Sequence, residues 1–132
     1  MIDKYLISIG SSFLYLIPLA LLTGPFLPDL FLSIIAILFI IASIINKSLN
    51  YYISKFFILF ILFFIYLLIS SFLSDNPIFS LKSSIFYIRF GFFSIAVWWL
   101  LDNNKKLISN FTKFLLVTFI FAIISGFIQY FY

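Results

Sequence analysis

Five stretches of the chain are almost wholly apolar, at about residues 5–22, 30–45, 56–73, 84–101 and 114–132. Each approaches the roughly 20 residues that an α-helix needs to cross a hydrocarbon core. Each is also about twice the length of a membrane strand and lacks the apolar–polar alternation of a barrel wall. A helix pairs its backbone polar groups within the segment, as lipid demands. The pattern predicts an all-α fold, a polytopic transmembrane bundle of about five helices forming one domain over residues 1–132. Lys4 precedes the first run as in a secretory signal, but the run is longer than a signal core and lacks a small-x-small cleavage site before Pro25. It is therefore read as a retained helix, with Pro18 expected to kink it.

The connections between the runs fall into two classes. Lys4, Lys47, Lys55, Lys105, Lys106 and Lys113 lie on one side, while Lys82 alone lies on the other, leaving Arg89 aside as intramembrane. The excess of lysine predicts a cytoplasmic N-terminus, with Tyr132 on the far side. Tyr5, Tyr51, Tyr52, Trp98 and Trp99 would form an aromatic belt at one interface, and Tyr130 and Tyr132 at the other.

Composition sharpens this picture. Apolar residues make up 65% of the chain and charged residues 9%, against roughly 45–50% and 25% in soluble domains. Too few polar side chains remain to cover a water-soluble surface. The net charge of +4 is distributed as topology signals, not as a nucleic-acid patch. The chain has no Cys and no His, which removes disulfides, thiolate metal sites and the usual general base near neutral pH. It also lacks a glycine-rich phosphate loop, an HExxH motif, paired carboxylates and a Ser/His/Asp set. A nucleotide-driven pump or a metal-dependent enzyme has no support, and no cofactor is expected.

The scarce polar residues collect on the side away from the lysines. One turn holds Gly24, Pro25, Pro28 and Asp29; the other connection holds Ser74, Asp75, Asn76, Ser80, Lys82, Ser83 and Ser84. Arg89 lies about five residues inside the fourth run, where an Arg costs about 2.5–3.5 kcal/mol on insertion scales. A helix reaching back to Lys82 would place both cations on one face, about two turns apart. Three readings of Arg89 follow: an anion site for a phosphate or diphosphate head group, a side chain that snorkels outward, or an internal ion pair with Asp29 or Asp75. Asp29 is read as an N-cap, a substrate contact or Arg89's partner. Asn76-Pro77 reads as a helix start or a structural turn. Ser8/Ser12 and Ala122/Gly126 have the spacing of close helix approach, and Gln129 is expected to make an interhelical hydrogen bond.

The segment Leu22-Thr23-Gly24-Pro25-Phe26-Leu27-Pro28-Asp29-Leu30 resembles the first extracytoplasmic turn of the O-antigen ligase/polymerase family of bacterial membrane proteins. The stretch from Ser74 to Ser84, followed by Tyr87-Ile88-Arg89-Phe90, is similar to a later loop and span of that family. The resemblance implies a multi-pass protein of the bacterial inner membrane in lipopolysaccharide or other cell-envelope polysaccharide synthesis. Its substrate would be a polyprenyl-diphosphate-linked glycan, transferred without a metal by a glycosyltransferase whose cations stabilise the diphosphate leaving group. Arg89, Lys82 and Asp29 would be substrate-binding. The family's Arg and His residues of a large second-half loop have no counterpart here, so no catalytic residue is carried over. The chain is accordingly expected to be the N-terminal part of a longer enzyme, inactive by itself. A transporter or flippase portion and a small non-enzymatic membrane subunit are the alternatives. Membrane lipids are the expected surroundings, and the pattern leaves the oligomeric state open.

Overall fold

The computed structural model describes residues 2–46 and 49–131, so Lys47 of the lysine count and Tyr132 of the aromatic belt lie outside the described residues. Among the described residues six α-helices follow one another: α1 (Ile2–Leu21), α2 (Phe26–Asn46), α3 (Lys55–Phe72), α4 (Pro77–Phe86), α5 (Ile88–Asn103) and α6 (Leu107–Phe131), with a 3₁₀ turn at Leu49–Tyr51. Because α4 and α5 continue through Tyr87 as one rod, there are among the described residues five helices long and apolar enough to span a membrane. This is a multi-pass membrane protein.

The helices outrun the apolar stretches, because polar residues at a membrane boundary still fold helically. The fourth span begins at Pro77 rather than near residue 84, and the last begins at Leu107 rather than near residue 114. Pro77 fits the first turn, where its missing N–H would have no partner. Asn76 precedes it without making a side-chain cap bond. Ser54 does cap α3, its hydroxyl accepting from the Phe57 N–H at 3.2 Å. Between α1 and α2 the chain reverses through Gly24, whose φ of 117° favours glycine. Helix α1 runs unbroken through Pro18 to Leu21.

Helix α2 sits between α1 and α5, α6 packs along α1, and α3 pairs with the α4–α5 rod. The core is concentrated toward the end that carries the N-terminus. There Phe39 is fully buried, with the rings of Tyr51, Tyr52 and Trp99 at 5.8, 5.6 and 5.9 Å. Trp99 is thus buried in the bundle instead of standing in an interfacial belt, whereas Tyr5 and Tyr130 remain exposed. Polar groups close the same end. The Asn46 amide donates to Asp3 at 2.9 Å, and the Tyr51 hydroxyl donates to Asp102 at 3.1 Å. Burial, and then the Asp102 carboxylate, push the Tyr51 phenol up from its ordinary pKa, so it stays a donor. Asn104, in the α5–α6 turn, donates to Ser11 at 3.1 Å and to Tyr15 at 3.3 Å, and its own side chain accepts from the Lys106 N–H.

Glycines, not the Ser8/Ser12 or Ala122/Gly126 pairs, mediate the close approaches. A Cβ on Gly10 would stand 3.3 Å from Leu100, and one on Gly91 would stand 2.2 Å from the Phe60 ring. Ser8 and Ser12 are exposed, and a Cβ on Gly126 would meet open space. Gln129 is likewise exposed and makes no interhelical hydrogen bond among the described residues. The Phe60 ring must shift to admit such a Cβ, and it is flanked by the rings of Phe57 and Phe64 at 6.4 Å from each. Gly91→Ala is therefore expected to loosen α3 from α5 at a cost of about 1–3 kcal/mol, measured as an earlier midpoint in detergent-denaturation titrations.

Candidate functional site

The α1–α2 turn and the α3–α4 connection share the end of the bundle opposite the N-terminus. Helix α2 begins at Phe26, and the Asp29 N–H donates to the Pro25 carbonyl at 3.3 Å. Asp29 is therefore inside the first turn and is not the N-cap. It keeps the favourable position near the positive end of the helix dipole, and its side chain is free to reach sideways.

Arg89 arrives from α5. At Tyr87 the rod tightens into i→i+3 bonding, with the Tyr87 N–H on the Ser84 carbonyl and the Phe90 N–H on the Tyr87 carbonyl, both at 3.0 Å. Two residues further on, Arg89 Nη2 donates to Asp29 Oδ2 at 2.6 Å. Of the readings open from sequence, the structure thus contains the ion pair with Asp29. Asp75, the other candidate partner, is exposed and forms no ion pair among the described residues.

The pair also fixes the depth of Arg89. Asp29 meets Arg89 and Phe39 meets Trp99, both sixty positions apart, so α2 and α5 run parallel in one register. Arg89 is therefore level with the first turn of α2. The 27-residue α4–α5 rod is about 40 Å long, against about 30 Å for a hydrocarbon core. Its excess length projects at this end, which leaves Arg89 near the membrane boundary although it is the thirteenth residue of its span.

The guanidinium is only partly used. The Asp29 contact is a single hydrogen bond, and Arg89 Nε is buried without a hydrogen-bond partner among the described residues. Arg89 Cζ lies 5.2 Å from the centre of the Phe90 ring, within cation–π range. Arg89 and Asp29 are 31% and 46% exposed, and both open onto a groove of about 370 Å³. Its remaining lining comes from α2: Phe26, Leu30, Ser33, Ile34 and Ile37. These lie three or four residues apart and form one stripe along the helix. The groove thus has a paired cation and anion at one end and an apolar stripe along its length.

Lys82 is exposed on α4 and lines no part of this groove. The structure joins Arg89 to Asp29 and leaves Lys82 outside. Sequence reading missed how the serines are used. Ser71 and Ser84 are buried with their hydroxyls in contact, and the Ser74 hydroxyl donates to Ser80 at 2.8 Å. They tie α4 to α3 and so hold the rod that carries Arg89. Their signal was the run of Ser around residues 70–84, which hydropathy alone discards. Among the described residues no cluster of His, Cys, Asp or Glu could hold a metal ion. Comparison with protein-family models, with curated proteins and with solved structures finds no match.

Proposed function

We propose that this chain is part of a membrane glycan ligase or polymerase that acts on a polyprenyl-diphosphate-linked oligosaccharide in the bacterial inner membrane. The observation that supports this reading best is the groove whose one cation, Arg89, stands at the head of an apolar stripe of α2. In this reading the N-terminus is cytoplasmic, as the lysine distribution favours, and the groove opens toward the outer face. The prenyl chain lies along Leu30, Ile34 and Ile37. Arg89 binds the diphosphate and stabilises the negative charge that grows on it as the sugar–phosphate bond breaks. Asp29, within hydrogen-bond distance of Arg89, stands on the leaving-group side. An attacking hydroxyl approaches from the opposite side of the sugar, so Asp29 is not the base for that hydroxyl.

The test is in the native cell. Arg89→Ala at the chromosomal locus is expected to cut transfer of lipid-linked glycan by about a hundredfold or more, the scale of losing one charge-stabilising donor. The readout is the accumulation of lipid-linked glycan, with the protein's membrane level checked by immunoblot. Undiminished transfer at an equal protein level contradicts the assignment.

A further inference from the structure

Resting on the reading of Arg89 as a diphosphate site, we infer that Asp29 is an internal stand-in for the anion, which neutralises Arg89 in the empty groove and is displaced when the diphosphate binds. The contact has the features of a temporary one. It is monodentate, through Nη2 and Oδ2 only, whereas a guanidinium offers five donors in a fork that suits bidentate partners. Arg89 Nε, within that fork, has no partner among the described residues. Both side chains face the same groove, so a phosphate group entering it meets the two together. Asp29 is not needed to cap α2, because its backbone already lies in the first turn.

Chemistry gives the carboxylate a reason to be there. An unpaired guanidinium inside a span is costly, and a neighbouring carboxylate removes most of that cost while the groove is empty. A diphosphate carries more negative charge than a carboxylate and presents several oxygens at once, so it outcompetes the carboxylate for the guanidinium. The carboxylate and the diphosphate cannot both stay against the guanidinium without strong repulsion. Binding is therefore weaker than Arg89 alone would give, and Asp29 sets by how much.

Equilibrium binding in nanodiscs of zwitterionic lipid tests this, with farnesyl diphosphate as probe and with inorganic diphosphate and farnesol as the head-only and tail-only arms. Asp29→Asn is expected to tighten farnesyl diphosphate binding about two- to fivefold, the equivalent of one partly exposed ion pair. Asp29→Glu should keep near wild-type affinity, and farnesol should be indifferent to both changes. Weaker or unchanged binding by Asp29→Asn overturns the inference and makes Asp29 a positioning residue for Arg89. Arg89→Gln should abolish tightening and binding together. If instead Arg89→Gln binds as well as wild type, the diphosphate site itself is wrong.

Should Asp29→Asn fold poorly, the wild-type protein still decides. Arg89 is the single arginine of the 132-residue chain, so in this chain taken by itself labelled arginine reports this site alone. Solid-state NMR with ¹³C-aspartate and ¹⁵N-arginine should show the carboxylate close to the guanidinium in the empty protein. With farnesyl diphosphate bound, that ¹³C–¹⁵N proximity should disappear and ³¹P–¹⁵N proximity should take its place. A carboxylate that stays close to the guanidinium beside the bound phosphorus contradicts displacement.

Discussion

Asp29→Ala is expected to destabilise the bundle by about 1–2 kcal/mol, between the costs of breaking an exposed and a buried ion pair, and Arg89→Leu added to it should recover most of that loss. Removing the carboxylate does not merely delete one hydrogen bond. It leaves a guanidinium whose Nε already lacks a partner among the described residues, on a span whose neighbours are Phe, Ile and Leu. Near the boundary the side chain has one escape, stretching toward the head groups, which is why the figure stays below the insertion cost of an arginine at the centre of a span. The double variant removes both charges and lets an apolar side chain fill the space. A double-mutant cycle in detergent-denaturation titrations measures the coupling. Additive losses, with the double variant the least stable of the four, mean that Asp29 and Arg89 do not depend on one another.

Phe39→Ala carries a comparable penalty for a different reason. Its ring is fully buried and touches Tyr51, Tyr52 and Trp99, so it joins α2 to the α2–α3 connection and to α5. In a water-soluble core such a truncation costs about 3–5 kcal/mol. Part of that figure is transfer from water, which is absent when the unfolded reference stays in lipid. Lost packing and the cavity remain, and a cost of about 2–3 kcal/mol is expected. The same titration checks it, with Phe→Ala at lipid-facing Phe121 (65% exposed) as the control that should change little.

The oily runs revealed the spans because lipid imposes a length that few other environments do. They concealed the helix ends, because hydropathy measures contact with hydrocarbon while helices continue through the head groups. That is why α4 starts at Pro77, ahead of the polar Ser80, Lys82 and Ser83, and why α6 takes in Asn110, Thr112 and Lys113. The tightening at Tyr87 has no mark in the sequence, since no proline or glycine stands there. The partner of Arg89 was open for the same kind of reason: sixty residues separate it from Asp29, and only the parallel register of α2 and α5 selects Asp29 over Asp75. Asp29's place within the helix depended on α2 accepting Pro28 in its first turn, where a missing donor costs nothing. Of the aromatic residues near the N-terminal end, Trp99 is buried against Phe39, Tyr51 and Tyr52 are half-buried beside it, and Tyr5 and Trp98 stay exposed.

The orientation of the groove can be measured with single introduced thiols, because the chain contains no native cysteine that would have to be removed first. Thr23→Cys and Ser74→Cys mark the end that carries Arg89 and Asp29, and Asn50→Cys and Lys105→Cys mark the opposite end. A membrane-impermeant maleimide applied to intact spheroplasts should label the first two and reach the second two only after lysis. Labelling of Asn50→Cys and Lys105→Cys in intact spheroplasts, with Thr23→Cys and Ser74→Cys protected, would turn the charged mouth of the groove to the cytoplasm and contradict the account.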